Sequence, residues 1–289
     1  PLTESQLEVF LSAQLDENAS CGFNEAVSLR LDGGLDEPAL RRALDAVAAR
    51  HESLRARFDP HGESQRFAPP SAVDLPVVRL HLVNEREREQ QLDKIFEENA
   101  RTPFDLVNGP AFRAQLIQLG AKSHLLLFTA HHVVCDGWSM NVLMDELAQL
   151  YRAFHRGSPV PLPEAVRFSE YARTQAAFVE SAEGQKVEQY WVDQFREPAP
   201  LLDLPLDRPR PPQKSYEGAT LRRKIGAESY RAIKKAGAQH KCTLFVTLLA
   251  GFEILMNRLS GQDDVVVGVP AAGQSLLDGE TLVGHCVNF

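Results

Sequence analysis

The chain has 289 residues, a length that suits two packed domains or one large domain. Apolar residues make up 44% of the chain, which is enough for a substantial core, and its formal net charge is −8. The negative charge disfavours nucleic acid as a partner, because phosphate binding requires a basic surface.

Cysteine spacing and hydropathy disfavour two more classes of protein. The four cysteines show no metal-binding or redox spacing, so we expect reduced thiols and a cytoplasmic location. The most apolar stretch, residues 243–256, is 14 residues long. It is too short to span a bilayer, so it predicts a buried helix and no membrane partner. The proline at position 1 and the apolar end at Phe289 favour a piece of a longer polypeptide.

The first part of the chain predicts alternating helices and strands. Thr3 can cap a helix whose apolar side is Leu7, Phe10, Leu11 and Ala13. "NEAVSLRLDG" (24–33) alternates apolar and polar residues as a half-buried strand does. "LDEPALRRALDAVAARH" (35–51) predicts a helix capped by Asp36, with Pro38 in its first turn. "SLRARFD" (53–59) alternates again, like a strand.

The middle of the chain predicts a solvated helix, a hairpin and a long helix. "EREREQQLDKIFEENAR" (85–101) is rich in charge and predicts a solvent-facing helix. "AFRAQLIQLG" (111–120) and "HLLLFTAHH" (124–132) read as paired strands. The second is apolar on both faces, which predicts a central strand. Ser139 is then expected to begin a helix that stops at Gly157.

Six prolines within residues 198–212 predict a connection without regular structure. We therefore expect a first lobe over 1–197, this connection, and an incomplete second lobe over 213–289. The second lobe is predicted to hold a strand at 219–225, a helix at 228–239, the buried helix from Thr243 to a stop at Gly261, and a strand at 264–270. The predicted class is α/β, with two lobes.

"AHHVVCDGWS" (130–139) carries the pattern that points to chemistry. Adjacent residues of a strand face opposite sides, so His131 and His132 do not readily chelate one ion, and we expect no metal site. The same geometry lets one histidine anchor the strand end while the other projects outward as an imidazole that can take a proton near neutral pH.

The residues after the histidines favour acyl transfer by direct attack of an acceptor. Asp136 lies past the turn and is expected to pair with an arginine. The N–H of Gly137, near the start of the next helix, can help to hold an oxyanion. No G-x-S-x-G elbow is present, and Cys135 is expected to be buried as a small apolar residue.

This segment resembles the signature of condensation domains of nonribosomal peptide synthetases, within the chloramphenicol acetyltransferase-like superfamily. Further stretches resemble the other family motifs in the same order: "TESQLEVFLSAQ" (3–14), "RHESLRARF" (50–58), "FSEYARTQ" (168–175), "LPLDRPRPP" (204–212) and "LVGHCVNF" (282–289). "SCGFNEA" (20–26) resembles domains that follow polyketide modules.

The resemblance implies two acetyltransferase-like lobes in a V with a tunnel between them. It implies amide formation between an acyl thioester donor and an aminoacyl acceptor. Each is delivered by a peptidyl or acyl carrier protein on a phosphopantetheine arm, and the domain itself binds no cofactor. Adjacent adenylation or polyketide synthase modules are the expected neighbours.

The resemblance also assigns roles to residues. His132 becomes the catalytic histidine, while His131 and Asp136 become structural. Arg55 is the expected partner of Asp136, with Arg50 and Arg57 as alternatives. The remaining motif or tunnel-lining residues are Ser5, Trp138, Ser139 and Asn288.

Two other functions stay open. An epimerisation domain of the same family shares the His-His pattern and moves an α-proton, although "DGWS" (136–139) favours condensation. A non-catalytic module that docks carrier proteins could retain the fold, although intact His132 and Gly137 weigh against it.

Overall fold

A computed structural model describes residues 1–160, 162–212, 215–216, 218–276 and 281–288. The chain divides into two compact units, Pro1–Gln185 with Pro270–Phe289, and Lys186–Val269. This division differs from the predicted boundary at 198–212. Residues 270–276 and 281–288, predicted within the second lobe, belong to the first unit, and Gln274 and Cys286 hydrogen-bond to Asp136 in the turn after the central strand.

The first unit combines helices with a four-stranded sheet. Its helices are α1 (Glu4–Ala13), α2 (Glu17–Cys21), α3 (Glu37–Arg50), α4 (Glu85–Arg101), α5 (Gly137–Arg156) and α6 (Phe168–Val179). Its strands are β1 (Asn24–Asp32), β2 (Ala56–Phe58), β3 (Gln65–Phe67), β4 (Val77–Arg79), β5 (Phe112–Gly120), β6 (Ser123–His131), β7 (Ala271–Ala272) and β8 (Val287–Asn288). A further helix, α7 (Ala182–Gln194), crosses the boundary between the units.

The sheet has the strand order β1-β6-β5-β4, so the predicted hairpin and the central place of β6 are confirmed. β1 pairs antiparallel with β6, which sets Asn24 opposite His131 and Glu25 opposite Ala130. Side chains alternate along each strand, so this register decides which residues share a face.

One face of the sheet packs on α3 and α5. Leu44 of α3, Leu143 of α5 and Phe128 of β6 belong to one buried apolar cluster, each 2% exposed or less. Burial of one such side chain contributes about 1.5–3 kcal/mol. The opposite face meets α4 through polar contacts, including a hydrogen bond between Thr129 and Asn99. As predicted, α4 buries none of its own residues.

Helix ends follow the predicted capping signals with small differences. Thr3 and Gln6 form a capping box on α1, and Asp36 caps α3. In α1 the buried side is Gln6, Val9, Phe10 and Ala13, so the predicted apolar positions Leu7 and Leu11 are wrong; their side chains are exposed. Helix α5 begins two residues before Ser139, because Asp136 is its cap.

The second unit contains α8 (Ala227–Gln239) and α9 (Leu244–Ser260), which end near their predicted stops. The prediction that α9 is buried is wrong, since Met256 is its one buried residue. The predicted strands at 219–225 and 264–270 are absent. A strand needs a hydrogen-bonded neighbour, and the described residues of this unit supply none to either segment.

Within the described ranges, no single helix is long and apolar enough to cross a membrane. The pair α8 and α9 passes that test only when taken together, and it is bent by 99°.

The "RHESL" motif, residues 50–54, ties α3 to α5 and α6. Arg50 Nε lies 3.0 Å from Glu146 Oε2, and His51 Nε2 lies 2.8 Å from the same oxygen. Glu52 Oε2 accepts a hydrogen bond from the Ser169 N–H at 2.9 Å, at the start of α6. Burial alone would raise the pKa of Glu146, but the hydrogen bonds from His51 and Arg50 outweigh it and lower the pKa to about 2.

Glu146→Gln should therefore destabilise the protein in a pH-dependent way. A folded-state pKa of about 2 lies below the unfolded value, so the stabilisation is present above pH ~4.5 and is lost as pH falls towards 2. At pH 7 the variant should be less stable by about 2–3 kcal/mol, and roughly 2 kcal/mol of that difference should vanish by pH 3. Urea unfolding of both proteins at pH 7 and pH 3 measures it. An equal difference at the two pH values would contradict this account.

Candidate functional site

The two histidines at the end of β6 occupy opposite environments, as predicted. His131 is fully buried, and the Val133 N–H donates to its Nδ1 at 3.2 Å. Its ring lies against Phe23 and Phe104. Burial, helped by the charge of His132, lowers the pKa of His131 to about 4, so this ring is neutral near pH 7. It anchors the strand end rather than offering a proton acceptor.

His132 keeps 26% of its side chain exposed and contacts two other titratable groups. Its Nε2 lies 3.3 Å from Glu25 Oε1. Its Nδ1 lies 3.1 Å from His285 Nδ1, with the two rings nearly perpendicular at 81°. Both ring nitrogens of His132 therefore have polar neighbours.

His285 comes from the segment before β8 and is buried. Burial, with a smaller contribution from the charge of His132, lowers the pKa of His285 to about 4, although Asp136 opposes the shift. His285 is therefore neutral near pH 7. A neutral imidazole has one donor and one acceptor nitrogen, so one ring donates and the other accepts in the contact with His132.

Asp136 holds the turn after β6 through hydrogen bonds from neutral groups. Its Oδ1 accepts from the Ser139 N–H at 2.8 Å and lies 2.7 Å from the Ser139 hydroxyl. Its Oδ2 accepts from Gln274 Nε2 at 2.8 Å and from the Cys286 N–H at 3.1 Å. The side chain is fully buried, so these hydrogen bonds and the start of α5 stabilise its charge.

The predicted arginine partner of Asp136 is wrong. The Arg55 guanidinium donates to the carbonyls of Ala48, Ala49 and Ala68 instead. Arg50, one of the alternatives, pairs with Glu146. The two oxygens of the Asp136 carboxylate already accept four hydrogen bonds, so the group does not require an arginine as a partner.

Gly137 is the first residue of α5, and a Cβ placed on it would meet no atom within 4 Å. The neighbouring Trp138 side chain is 38% exposed. Cys135 is fully buried, and burial raises the pKa of its thiol well above the usual value, in agreement with its predicted apolar role.

The other predicted motif residues are distributed around this turn. The hydroxyl of Ser139 is buried and also lies 2.9 Å from both the N and the O of Gly284. Ser5 lies on α1, 3.2 Å from the Thr3 hydroxyl, next to Gln6, whose amide donates to the Val133 carbonyl. Asn288 is exposed in β8, and Phe289, the last residue of that motif, lies outside the described residues.

Sequence reasoning missed Glu25 and His285 as neighbours of His132. Both lie inside stretches that resemble those of known families, residues 20–26 and 282–289. The one sequence signal belongs to Glu25, which occupies an apolar-face position of β1, where a carboxylate is unexpected. The pairing of β1 with β6 joins positions about 100 residues apart, which local patterns do not reveal.

A cavity of about 710 Å³ lies elsewhere in the first unit, lined in part by Arg55, Phe104 and Arg113. Neither His132 nor His285 lines it. Across the described ranges, no group of three or more His, Cys, Asp or Glu side chains is placed to hold a metal ion.

Comparison with known proteins gives the family. The family described as Condensation domain matches residues 1–289. The chain belongs to the condensation-domain family. Its α/β fold is that of solved condensation-domain structures, as the sequence predicted.

Three relatives illustrate the likeness. The chain is 38% identical over 289 residues to malpibaldin synthetase of Mortierella alpina, covering 99% of this chain. It is 26% identical, with a TM-score of 0.81, to the first condensation domain of the calcium-dependent antibiotic synthetase in complex with a substrate analogue, covering 100% of this chain and 67% of that one. It is 27% identical, with a TM-score of 0.85, to the X-domain solved in complex with OxyB from teicoplanin biosynthesis, covering 99% of this chain and 63% of that one. The chain spans only 5% of the length of malpibaldin synthetase.

Asp136→Asn should destabilise the first unit. The substitution replaces one carboxylate oxygen, a hydrogen-bond acceptor, by an amide nitrogen, which can only donate. The buried donors that faced this oxygen are left unpaired, so the free energy of unfolding should fall by about 2–4 kcal/mol. Asp145→Asn is the matched control, because Asp145 is exposed on the same helix, α5, and should change stability by less than about 0.5 kcal/mol. Urea unfolding measures both. Equal midpoints for Asp136→Asn and the unmodified chain would show that this carboxylate does not hold the turn.

Proposed function

We propose that the chain forms an amide bond between an acyl thioester donor and an aminoacyl acceptor, as part of a nonribosomal peptide or hybrid polyketide–peptide synthetase. The observation that carries this proposal is His132, a partly exposed imidazole at the end of the central strand within the family's His-His motif. It is supported by membership of the condensation-domain family and by the synthetase relatives.

In this proposal, His132 takes the proton that the acceptor amine loses when it attacks the thioester carbonyl. Free α-amines have pKa values of about 7.7–8.0, so a base as weak as imidazole suffices near neutral pH. General-base help of this kind typically contributes roughly 10²–10⁴-fold. Holding both reactants in one orientation contributes a further part of the rate.

Gly137 is the second residue of the proposed chemistry. Its N–H belongs to the first turn of α5, where backbone donors point out of the helix and the helix dipole favours negative charge. The open space at its Cβ position allows an acyl group to approach the backbone closely. Such a donor suits the oxyanion of a tetrahedral intermediate.

The proposed partners are donor and acceptor carrier-protein domains, each presenting its substrate on a phosphopantetheine arm, with adenylation or polyketide synthase modules next to them. No cofactor is proposed for the domain itself. All four cysteines are free thiols, which supports the cytoplasmic location that remains part of the proposal.

A second candidate is a docking module without chemistry. The likeness to an X-domain that was solved in complex with OxyB favours it, since that structure shows the fold bound to another protein. The epimerisation alternative has no such observation in its favour. The experiment below separates these functions, because an amide product, an inverted α-carbon and binding without turnover are distinct outcomes.

His132→Ala should lower amide formation by roughly 10²–10⁴-fold. The assay uses the natural full-length protein with loaded donor and acceptor carrier proteins, and mass spectrometry follows the amide product in a single turnover. His61→Ala is the control, because His61 is exposed on a loop of the same unit. Undiminished product from His132→Ala would overturn the proposed role of this histidine.

Gly137→Ala should retain the fold and lose activity. The added methyl meets no protein atom, and alanine favours a helix over glycine by about 1 kcal/mol, so thermal stability should be equal or higher. Amide formation should fall roughly 10-fold to 100-fold, because the methyl enters the space proposed for the acyl group. Full activity in this variant would place the reacting carbonyl elsewhere.

A further inference from the structure

The contacts of His132 match the doubly protonated form of its ring. One nitrogen faces a carboxylate oxygen of Glu25, and the other faces a nitrogen of His285. An imidazolium donates from both nitrogens, so it can donate to Glu25 Oε1 and to the lone pair of His285 Nδ1 at once. A neutral ring that carries its proton on Nδ1 can donate to His285 but has no proton to offer Glu25.

The sheet register explains why Glu25 reaches His132. Glu25 is opposite Ala130, and His132 follows Ala130 by two positions, so all three belong to the same face. The His132 N–H donates to the Phe23 carbonyl at 2.8 Å, which continues the pairing past the end of β6. Asn24, on the opposite face, is held by the carbonyls of Ala100 and Thr102.

Other titratable groups around His132 are neutral or already hydrogen-bonded. His131 and His285 have pKa values lowered to about 4, and the Cys135 and Cys286 thiols have raised pKa values, so these four are uncharged near pH 7. The pKa of Tyr171 is raised as well. Asp136 is the other carboxylate nearby, and its oxygens receive four hydrogen bonds. Glu25 is thus the carboxyl group whose oxygen lies against the His132 ring.

The pKa of Glu25 depends in turn on the charge of the His132 ring. Burial raises the pKa of Glu25, and the charge of His132 lowers it. An imidazolium therefore favours the ionised carboxylate, and the ionised carboxylate favours the imidazolium.

We propose that Glu25 is a positioning residue that stabilises the imidazolium of His132 formed during amide synthesis, with neutral His285 as the acceptor at the other ring nitrogen. This inference rests on the proposed function and adds a residue to it. His285 accepts from the His132 Nδ1–H, which leaves the Nε2 lone pair for the incoming amine. Glu25 Oε1, beside Nε2, can accept a second N–H of that amine.

The proton that the amine loses ends on the thiol product. The amine nitrogen bonds to the thioester carbonyl carbon, and its proton moves to His132 Nε2. The imidazolium then donates to Glu25 and His285. When the carbon–sulfur bond breaks, the imidazolium returns the proton to the departing thiolate, and the products are an amide and a thiol with the ring neutral again.

The test compares Glu25→Gln and Glu25→Asp with Asp32→Asn in the natural full-length protein. Asp32 is an exposed carboxylate on the same strand, roughly 23 Å away along β1, so it controls for loss of negative charge. Deuterium exchange at the imidazole C2 carbon, read by mass spectrometry, follows the titration of His132, and exposed His61 serves as the internal reference. Single-turnover amide formation with loaded carrier proteins is measured on the same samples.

In Glu25→Gln, the midpoint of the His132 exchange curve should move to lower pH by roughly 0.5–1 unit, because the imidazolium has lost its anionic partner. The rate of amide formation should fall about 3-fold to 10-fold, while Glu25→Asp recovers part of both effects. Asp32→Asn should leave both unchanged, and the midpoint of His61 should stay fixed in all variants.

An unmoved His132 midpoint in Glu25→Gln overturns the inference, whatever happens to the rate, because a merely structural role would leave this titration unchanged. The proposed function is judged separately by His132→Ala. If that variant is inactive while Glu25→Gln titrates normally, the function stands and the role of Glu25 falls. If His132→Ala is fully active, the proposed role of His132 fails even where the midpoint shifts.

Discussion

The buried carboxylate of Asp136 is the constraint on which the rest of the site depends. It begins α5, and it accepts hydrogen bonds from Gln274 and from the backbone of Cys286, which come from a segment about 150 residues later. A buried anion without a cation requires that its lone pairs be filled, and the helix start adds favourable partial charge. Because the same segment carries His285, this one side chain also brings a second imidazole to His132.

Because side chains alternate along β6, the two adjacent histidines before this turn lie on opposite faces of the sheet. His131, toward the α4 face, is neutral and held among aromatic rings, whereas His132, toward the α3 and α5 face, meets Glu25. If β6 slipped by one residue in its pairing with β1, His131 and His132 would exchange faces. The apolar contacts of α3 and α5 with even-numbered residues of β6 hold the register, so core packing determines which histidine is available to a substrate.

Local signals in the sequence predicted much of the fold but little of the site. Thr3, Asp36 and Gly157 marked helix ends correctly, and the β5–β6 hairpin followed from two strand-like stretches joined by a short turn. Where the outcome depended on distant partners, prediction failed: the segments at 219–225 and 264–270 lack strand neighbours, and α9 is exposed. A pattern also cannot show whether a buried carboxylate is neutralised by an arginine or by neutral donors, which is why Arg55 was misassigned and Glu25 was missed.

The hydrogen bond between Glu52 and the Ser169 N–H joins two sequence motifs, residues 50–58 and 168–175, in one packed structure. Gly284 adds a third, because a side chain at that position would collide with the Phe168 ring. If this domain is recombined with a relative, these three segments should therefore come from the same parent. A chimaera that took residues 168–175 from one parent and residues 50–58 or 282–288 from another would join surfaces that had never adapted to each other.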